Sequence, residues 1–335
     1  MNRTDAADPP VQPLAMPRAA PARHRVAVLV PCFNEAAAID KVVRDFRTAL
    51  PDAVVYVYDN GSTDDTAAVA RAAGAVVRHE GNPGKGNVVR RMFADVEADI
   101  YVLVDGDDTY DASAAPALVR KLLDEQLDMV NASRADGTVA AYRPGHRFGN
   151  RVLSGMVAYI FGDRFTDMLS GYRAFSRRFV KSFPALTAGF EIETELTVHA
   201  LELRMPTAEM PTRYKERAPG SASKLRTFRD GWRILLTILV LVKEERPMPF
   251  FGGLSALLAA VAIILAVPLV VTFVETGLVP RFPTAILSTG LMLLAFLSLA
   301  CGLILDTVTL GRRELKRMRY LAITAPAAAP ARPPQ

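Results

Sequence analysis

The most informative stretch of the sequence is an apolar run that ends in acidic residues, YVLVDGDDTYDA (101–112). Its first four residues are typical of a buried strand, and three aspartates follow within the next four positions. Asp105 and Asp107 stand one glycine apart, so both carboxylates can reach one divalent cation. Mg²⁺ and Mn²⁺ prefer such oxygen ligands, and we expect one of these ions here, where it would hold a diphosphate.

Two other motif interpretations fail on spacing. An EF-hand loop that starts at Asp105 requires glycine at position 110 and glutamate at position 116, where this chain has Tyr110 and Pro116. The segment GNPGKG (81–86) lacks the spacing of a Walker loop and the Ser or Thr after its lysine. For an isolated Asp-Gly-Asp, a solvated acidic turn remains the alternative to a metal site.

Short β-rich runs alternate with helical stretches through the first part of the chain. The runs are RVAVLV (25–30), VVYVY (54–58), AVVRH (75–79), IYVLV (100–104) and LDMVN (127–131). This alternation predicts right-handed βαβ units, a mainly parallel sheet and therefore an α/β fold. Ligands of such sheets bind at the carboxyl ends of the strands, where this sequence places PCFNE, DNGSTDDT and DGDDTY.

The second strand ends in Asp59, whose carboxylate can accept a hydrogen bond from the imide N–H of a uracil-like base. Asp64 and Asp65 follow a Gly-Ser turn, and capping of the next helix explains them more simply than ligand binding does.

Two long uncharged segments near the C-terminus predict membrane spans. Hydrophobic residues make up 50% of the 335 residues, and neither 247–274 nor 282–305 carries a charge. Each segment exceeds the roughly 20 residues that cross a bilayer. A buried helical hairpin is the alternative, but such helices usually have a polar face, and these two have none.

Basic residues predict the orientation of the two spans. The segment GRRELKRMR (311–319) places five basic residues and one glutamate directly after the second span, whereas the link between the spans offers only Glu275 and Arg281. The positive-inside tendency therefore puts both chain ends in the cytoplasm. We expect membrane lipid and phosphate groups, and no nucleic acid, as partners of this basic chain.

The chain ends and the cysteines complete the outline. Residues 1–24 and 322–335 are rich in Ala and Pro and are interpreted as disordered tails. The only cysteines, Cys32 and Cys301, fall after the first strand and in the second span, which excludes a disulfide framework.

Six motifs occur in an order that resembles a known family. VLVPCFNE, DNGSTDDT, GNPGKG, DGDD, MLSGYRAF and ERAPGSASK resemble those of inverting family-2 glycosyltransferases of GT-A fold. Together with the paired spans, they look most like polyprenyl- and dolichyl-phosphate sugar transferases, and the resemblance covers about residues 24–320. Asn60 departs from the pattern, since the family usually has a second aspartate there, and Asp108 is an additional acid.

The resemblance implies roles for individual residues. The residues that would line the nucleoside pocket are Pro31, Asn34, Glu35 and Asp59. Asp105 and Asp107 would hold the metal and the donor diphosphate, while Lys85 either reaches the same phosphates or only begins a helix. The acceptor side would comprise Arg217, Ser223 and Lys224 in the basic loop, together with Asp167, Arg173 and Glu191. Of Glu191, Glu193 and Glu195, one or two would bind sugar hydroxyls and the others would stabilise a helix N-terminus.

The expected domain order follows from these segments. A GT-A domain at 25–224 precedes a juxtamembrane helix at 225–246, two spans at 247–311 and a basic cytoplasmic tail at 312–335. Within 225–246 the apolar residues recur at steps of three and four, and arginines lie off that stripe, which is typical of an amphipathic helix in the membrane interface. Packing against the catalytic domain would produce the same pattern.

The expected function is transfer of a hexose from a nucleoside-diphosphate sugar to polyprenyl (undecaprenyl) phosphate on the cytoplasmic face of the inner membrane, for cell-envelope glycan or lipid modification. A lipid phosphate is already anionic and needs no strong base. A hydroxyl on a lipid-linked saccharide would need one, and Asp167 and Glu191 are the candidates. Homo-oligomers, a flippase or a downstream transferase are possible partners.

Two further alternatives fit the sequence less well. A processive synthase normally carries Gln-x-x-Arg-Trp, but Phe228 and Gly231 stand in the places of Gln and Arg before Trp232. The intact Asp-x-Asp and the basic loop argue against an inactive nucleotide-sugar sensor or scaffold. The sequence leaves the identity of the sugar open.

Overall fold

A computed structural model describes residues 24–135, 165–189, 191–215 and 246–325, together with positions 155, 240 and 243. The loop ERAPGSASK, with Arg217, Ser223 and Lys224, lies outside the described residues. So do the first tail up to residue 23, the last ten residues and all but three positions of the expected juxtamembrane helix.

One seven-stranded sheet organises the described residues up to 215, with strand order β3-β2-β1-β4-β6-β5-β7. Strand β6 runs antiparallel to both of its neighbours, and the other pairs are parallel. The α/β class and the mainly parallel sheet are thus confirmed. The strands are β1 Val26–Cys32, β2 Val54–Asp59, β3 Val76–His79, β4 Ile100–Leu103, β5 Met129–Ala135, β6 Arg173–Ser176 and β7 Thr207–Arg213.

Strands β6 and β7 were not predicted. Strand β6 is only four residues long, and its first three residues are the last three of MLSGYRAF, a segment in which the sequence indicates only a turn. Strand β7, TAEMPTR, contains a proline and few β-branched residues, and it pairs only with β5 at the edge of the sheet. Their formation depends on the long-range partner strands more than on local preference.

Helices cover both faces of the sheet and bury strand β4 completely. In the stretch 101–112, Tyr101 and Leu103 belong to the apolar layer on one face of the sheet, and Val102 belongs to the layer on the other face. A strand with both faces buried is apolar throughout, which explains the run YVLV. The helices are α1 Ile39–Ala49, α2 Thr66–Ala72, α3 Lys85–Asp95, α4 Ala115–Asp124, α5 Arg177–Ser182 and α6 Ile192–Glu202.

Two long helices follow, α7 Pro247–Thr276 and α8 Phe282–Leu321, each long and apolar enough to cross a membrane. They pack as a hairpin in which the Ser288 hydroxyl donates to the Ala262 carbonyl at 2.9 Å and the Ser298 hydroxyl to the Phe251 carbonyl at 2.9 Å. Most of their apolar side chains are exposed. Helix α8 continues past residue 311, the end of the predicted membrane segment, through the basic residues to Leu321.

Arg173 in β6 is fully buried, and its guanidinium ties together three parts of the core. Its Nε and Nη2 donate to the carbonyls of Ser170 at 3.0 Å and Met168 at 2.6 Å, and its Nη1 donates to Thr197 Oγ1 at 2.8 Å. Burial lowers the pKa of Arg173 to about 10. The acceptor contact predicted for Arg173 does not fit this position, because the side chain faces the core and its donors serve the protein.

Replacing Arg173 with Met should therefore destabilise the fold by about 3 kcal/mol, since three buried acceptors lose their donors. Chemical unfolding of the detergent-solubilised protein measures this change. Arg177→Met is the control, because Arg177 is exposed and pairs with exposed Glu97 at 3.2 Å, so its loss should cost less than about 1 kcal/mol. Unchanged stability in Arg173→Met, with weaker acceptor binding, would contradict a structural role.

Candidate active site

The carboxyl ends of neighbouring strands β1 and β4 bring PCFNE and DGDD together. Gly106, between the two aspartates, faces the end of β1, and a Cβ there would lie 2.6 Å from Cys32 Sγ. A larger residue would push the two strand ends apart. The glycine in Asp-Gly-Asp therefore allows both carboxylates to stay at the edge of the sheet.

Asp105 lies against the backbone of Gly171 and remains partly open to solvent. A Cβ at position 171 would lie 2.4 Å from Asp105 Oδ2, so this glycine provides the space that the carboxylate occupies. The Tyr110 hydroxyl accepts from the Gly171 amide at 2.8 Å and fixes the turn. The Asp105 side chain is 29% exposed, enough to meet a ligand.

Asp107 and Asp108 have different surroundings. Asp107 is 4% exposed, and its Oδ1 accepts from the amide of Thr109 at 3.2 Å and the hydroxyl of the same residue at 2.6 Å. Asp108 has a φ of 56° and accepts from Lys41 Nζ at 2.9 Å, with Lys215 Nζ at 3.8 Å. Asp108 thus connects the acidic loop after β4 to α1 and to the end of β7.

Lys85 joins this loop to α6. It is the first residue of α3, and its buried Nζ lies 2.5 Å from both Asp105 Oδ1 and Glu193 Oε1. Burial alone lowers the pKa of the Lys85 ammonium, but the two carboxylates outweigh that effect and raise it above its usual value. Among the described residues, Glu193 Oε2 is buried without a hydrogen-bond partner. Lys85 therefore both begins a helix and reaches the acidic motif.

The glycines of GNPGKG let the start of α3 approach a neighbouring loop. A Cβ on Gly84, whose φ is 121°, would lie 2.2 Å from the carbonyl oxygen of Ala188, and one on Gly86 would lie 2.1 Å from that of Thr187. The Gly86 amide donates to the Ala188 carbonyl at 3.0 Å. This close backbone contact places Lys85 next to Glu193.

The three glutamates of GFEIETEL do different things. Glu193 holds Lys85, whereas Glu195 accepts from the amides of Leu186 at 2.8 Å and Thr187 at 3.0 Å and so fixes the loop that contacts the glycines. Glu191 is half-buried at the N-cap position of α6, close to Gly189. Of the three, Glu193 is the one that is connected to the acidic motif, through Lys85, which also binds Asp105.

The predicted nucleoside pocket combines the loops after β1 and β2. Asp59 is largely buried, lies 3.4 Å from His79 Nδ1 and accepts from the Ser62 amide at 3.3 Å. Asn34 has a backbone φ of 53°, and its side-chain oxygen accepts from the Thr63 amide at 2.7 Å.

The other two predicted pocket residues lie in and just after β1. Pro31 is half-buried in β1 opposite Tyr58. Glu35 is largely buried beside Thr66, and the Glu35 amide donates to the Thr66 hydroxyl at 2.8 Å. The structure thus brings these four predicted residues together.

The hydrogen bonds of Asn60 explain why an asparagine, and not an aspartate, suits this position. Its amide nitrogen donates to the carbonyls of Glu80 at 2.9 Å and Asn82 at 2.7 Å, and its oxygen accepts from the Gly84 amide at 2.7 Å. A carboxylate has no N–H with which to make the first two bonds. Asn60 is therefore suited to holding the glycine turn in place.

Comparison with known proteins identifies the family. Residues 27–183 match the family described as Glycosyl transferase family 2. Glycosyltransferase AglJ of Haloferax volcanii is 33% identical over 303 residues, which is 90% of this chain and 99% of that protein. The chain is a family 2 glycosyltransferase.

Other relatives and structures agree with this assignment. A dolichyl-phosphate hexose transferase of Haloferax volcanii is 27% identical over 221 residues, 66% of this chain and 95% of that protein. Glucosyl-3-phosphoglycerate synthase of Mycobacterium tuberculosis, crystallised with Mn²⁺ and UDP-glucose, has a TM-score of 0.55 at 24% identity, over 66% of this chain and 78% of that one. The same enzyme with Mg²⁺ and UDP has a TM-score of 0.52 at 25% identity, over 64% and 79%. The fold is GT-A.

Asp167 of the glycosyltransferase is paired in a way that does not favour its predicted role as a base. Arg134 donates from Nε to Asp167 Oδ2 and from Nη2 to Oδ1, both at 2.7 Å. Burial would raise the pKa of Asp167, but the bonds and charge of Arg134 outweigh it and hold that pKa below its usual value. A strongly paired carboxylate of low pKa is a weak proton acceptor.

The network around Asp167 has no motif in the sequence that would predict it. Glu209 in β7 accepts from Asn131 at 2.9 Å and from the amide of Asp167 at 3.1 Å, and Arg134 lies in β5. None of these residues stands in a recognisable motif. Their one available signal was the position of Asn131 and Arg134 in a strand adjoining the predicted ligand-binding edge.

The acidic residues fit a divalent cation that is held partly by the protein and partly by the phosphates of a bound substrate. Within the described ranges, no three Asp, Glu, His or Cys side chains are grouped to enclose a metal. Asp105 and Asp107 offer hard oxygen ligands, and Gly171 provides the space for the first of them. Mg²⁺ characteristically binds through one or two carboxylates, substrate phosphates and water, which matches a site with two aspartates.

Gly171→Ala should lower kcat/KM for sugar transfer by about 100-fold, because its Cβ would displace Asp105, and a shift near 1 Å at a reacting centre has that effect. Gly81→Ala is the matched control, since nothing lies within 4 Å of a Cβ there. Steady-state transfer from a panel of nucleoside-diphosphate hexoses measures both variants. Normal activity in Gly171→Ala would show that the observed Asp105 position is not required.

Proposed function

We propose that this glycosyltransferase moves a hexose from a nucleoside-diphosphate sugar to polyprenyl phosphate at the cytoplasmic face of a membrane, with inversion at the anomeric carbon. One observation carries the proposal: the acidic motif and Lys85 form a charged cluster at the ligand-binding edge of a chain that continues into two apolar helices. The dolichyl-phosphate hexose transferase among the relatives supports the same acceptor class.

On the donor side, the nucleoside would lie between the loops after β1 and β2, and its diphosphate would reach Asp105 and Asp107. A bound Mg²⁺ or Mn²⁺ would offset the negative charge of the departing nucleoside diphosphate. Lys85 lies close enough to Asp105 to add a second positive charge at the same place. The structures of glucosyl-3-phosphoglycerate synthase with UDP-glucose and Mn²⁺ support a donor of this class.

On the acceptor side, the pairing of the carboxylates favours a nucleophile that needs no base. Asp167 is bound to Arg134, and Glu193 Oε1 is bound to Lys85. A polyprenyl phosphate oxygen carries its own negative charge at pH 7 and can attack directly. Arg217, Ser223 and Lys224 would bind that phosphate, because guanidinium and ammonium groups suit a phosphate anion. For a hydroxyl acceptor, Glu191 remains the candidate base.

Asp105→Asn should reduce transfer by a factor of about 100 to 1,000, since one charged ligand of the cation is lost, and a chelator should abolish the activity of the parent. Asp107→Asn should behave alike. Asp108→Asn is the matched control, because asparagine tolerates the positive φ of 56° and Asp108 faces Lys41 rather than the donor. Full activity of Asp105→Asn in a chelator would exclude the metal assignment.

The acceptor is tested with undecaprenyl phosphate and undecaprenol, each followed by mass detection of a glycosylated lipid. The parent should use only the phosphate. Arg217→Gln with Lys224→Gln should raise the KM for the phosphate by about tenfold or more while changing the donor KM less, since both cations would contact the acceptor. Arg213→Gln, an exposed position on β7, is the control. Equal use of the two lipids would end the lipid-phosphate proposal.

A further inference from the structure

Helix α8 is much longer than a bilayer requires. Its 40 residues span about 60 Å at 1.5 Å per residue, whereas the hydrocarbon core is about 30 Å thick. The uncharged part ends before Asp306. Residues 306–321, here named the strut, therefore extend about 24 Å beyond the apolar span as one continuous helix.

The first attachment of the strut to the catalytic domain is an ion pair at Glu202. Lys316 Nζ lies 2.6 Å from Glu202 Oε2, and Arg313 Nε lies 3.4 Å from Oε1. The Glu202 side chain is only 2% exposed. A buried carboxylate is costly unless it is paired, so detaching the strut would leave Glu202 in an unfavourable state.

The second attachment lies one turn farther along, at Asp128. The Tyr320 hydroxyl donates to Asp128 Oδ2 at 2.7 Å, and Arg178 pairs with the other oxygen while its guanidinium lies 4.8 Å from the Tyr320 ring centroid. Asp128 is fully buried. Arg313, Lys316 and Tyr320 follow steps of three and four, so one face of the strut makes both attachments.

Glu202 also connects the strut to the active site. It is the last residue of α6, whose first turn carries Glu193, the partner of Lys85. The helix has 11 residues, about 16 Å in length. A continuous series of packed and bonded groups thus runs from α8 through Glu202 and α6 to Lys85 and Asp105.

We propose that the strut sets the height and tilt of the active site above the bilayer, which makes Lys316, Tyr320, Glu202 and Asp128 positioning residues for transfer to a membrane-embedded acceptor. This inference rests on the proposed function, because the height matters only if the acceptor phosphate lies at the headgroup level. An acceptor confined to that level cannot follow a domain that tilts or rises. Alignment of nucleophile and donor then depends on the strut.

The test compares a membrane acceptor with a water-soluble one in Lys316→Met/Tyr320→Phe. In phosphatidylcholine vesicles, kcat/KM for undecaprenyl phosphate should fall by at least about tenfold, because the active site is misplaced. For citronellyl phosphate, which is short and soluble, it should stay within about twofold. A single Lys316→Arg variant, which keeps Tyr320 and a positive charge opposite Glu202, should retain the membrane activity. Arg317→Met/Arg319→Met, which changes two exposed positions of the strut, should match the parent.

Equal losses of kcat/KM for the two acceptors, or no loss for either, would overturn the proposed role of the strut. A second measurement does not depend on the acceptor: spin labels at Glu125→Cys and Leu303→Cys, in a Cys301→Ser background, report the distance between the catalytic domain and the apolar part of α8. The parent should give one narrow distribution and Lys316→Met/Tyr320→Phe a broad one. If the parent used neither phosphate, the proposed function would fail, and the distance measurement alone would test whether the strut holds the catalytic domain in place. A narrow distance distribution in Lys316→Met/Tyr320→Phe would then refute that role of the strut.

Discussion

The Lys85 ammonium lies between Asp105 and Glu193, and the arrangement of the active site depends on this buried ion cluster. Its members come from α3, from the loop after β4 and from α6, so the cluster ties together parts distant in sequence. A buried lysine without carboxylates would be strongly disfavoured, and each carboxylate would lose its compensation if the lysine were removed. The glycines at positions 84 and 86 make the cluster possible, because they let α3 begin against the backbone of residues 187–188.

This cluster also explains the chemistry that the site favours. Asp105 is shared between a lysine within the protein and the solvent side, where a cation and a diphosphate would meet. Asp167, the carboxylate predicted as a base for a hydroxyl acceptor, is bound to Arg134. The pairing of Asp167 therefore supports the proposed acceptor, an anion that needs no base.

The sequence predicted the parts of the structure that depend on local patterns. Five strands, the acidic turn after β4 and the two long apolar helices follow from periodicity and charge, which neighbouring residues determine. It did not predict that Asp167 pairs with Arg134, that Arg173 binds Thr197 in the core or that Glu193 binds Lys85, because these partners lie 33, 24 and 108 positions away along the chain. Lys316 and Tyr320 are a clear example. The basic segment that contains Lys316 predicted an orientation, whereas the partners of the two residues, Glu202 and Asp128, lie more than a hundred positions earlier.

The central claim is that Lys85 and the donor-bound cation share Asp105, and Mn²⁺ binding measured by electron paramagnetic resonance tests it most directly. Without donor, Lys85→Met should bind Mn²⁺ about tenfold more tightly than the parent, because a competing positive charge beside Asp105 has been removed. Lys41→Met, which removes a charge beside Asp108 in the same loop, should change the affinity much less. Equal Mn²⁺ affinity in the parent and in Lys85→Met would contradict the claim.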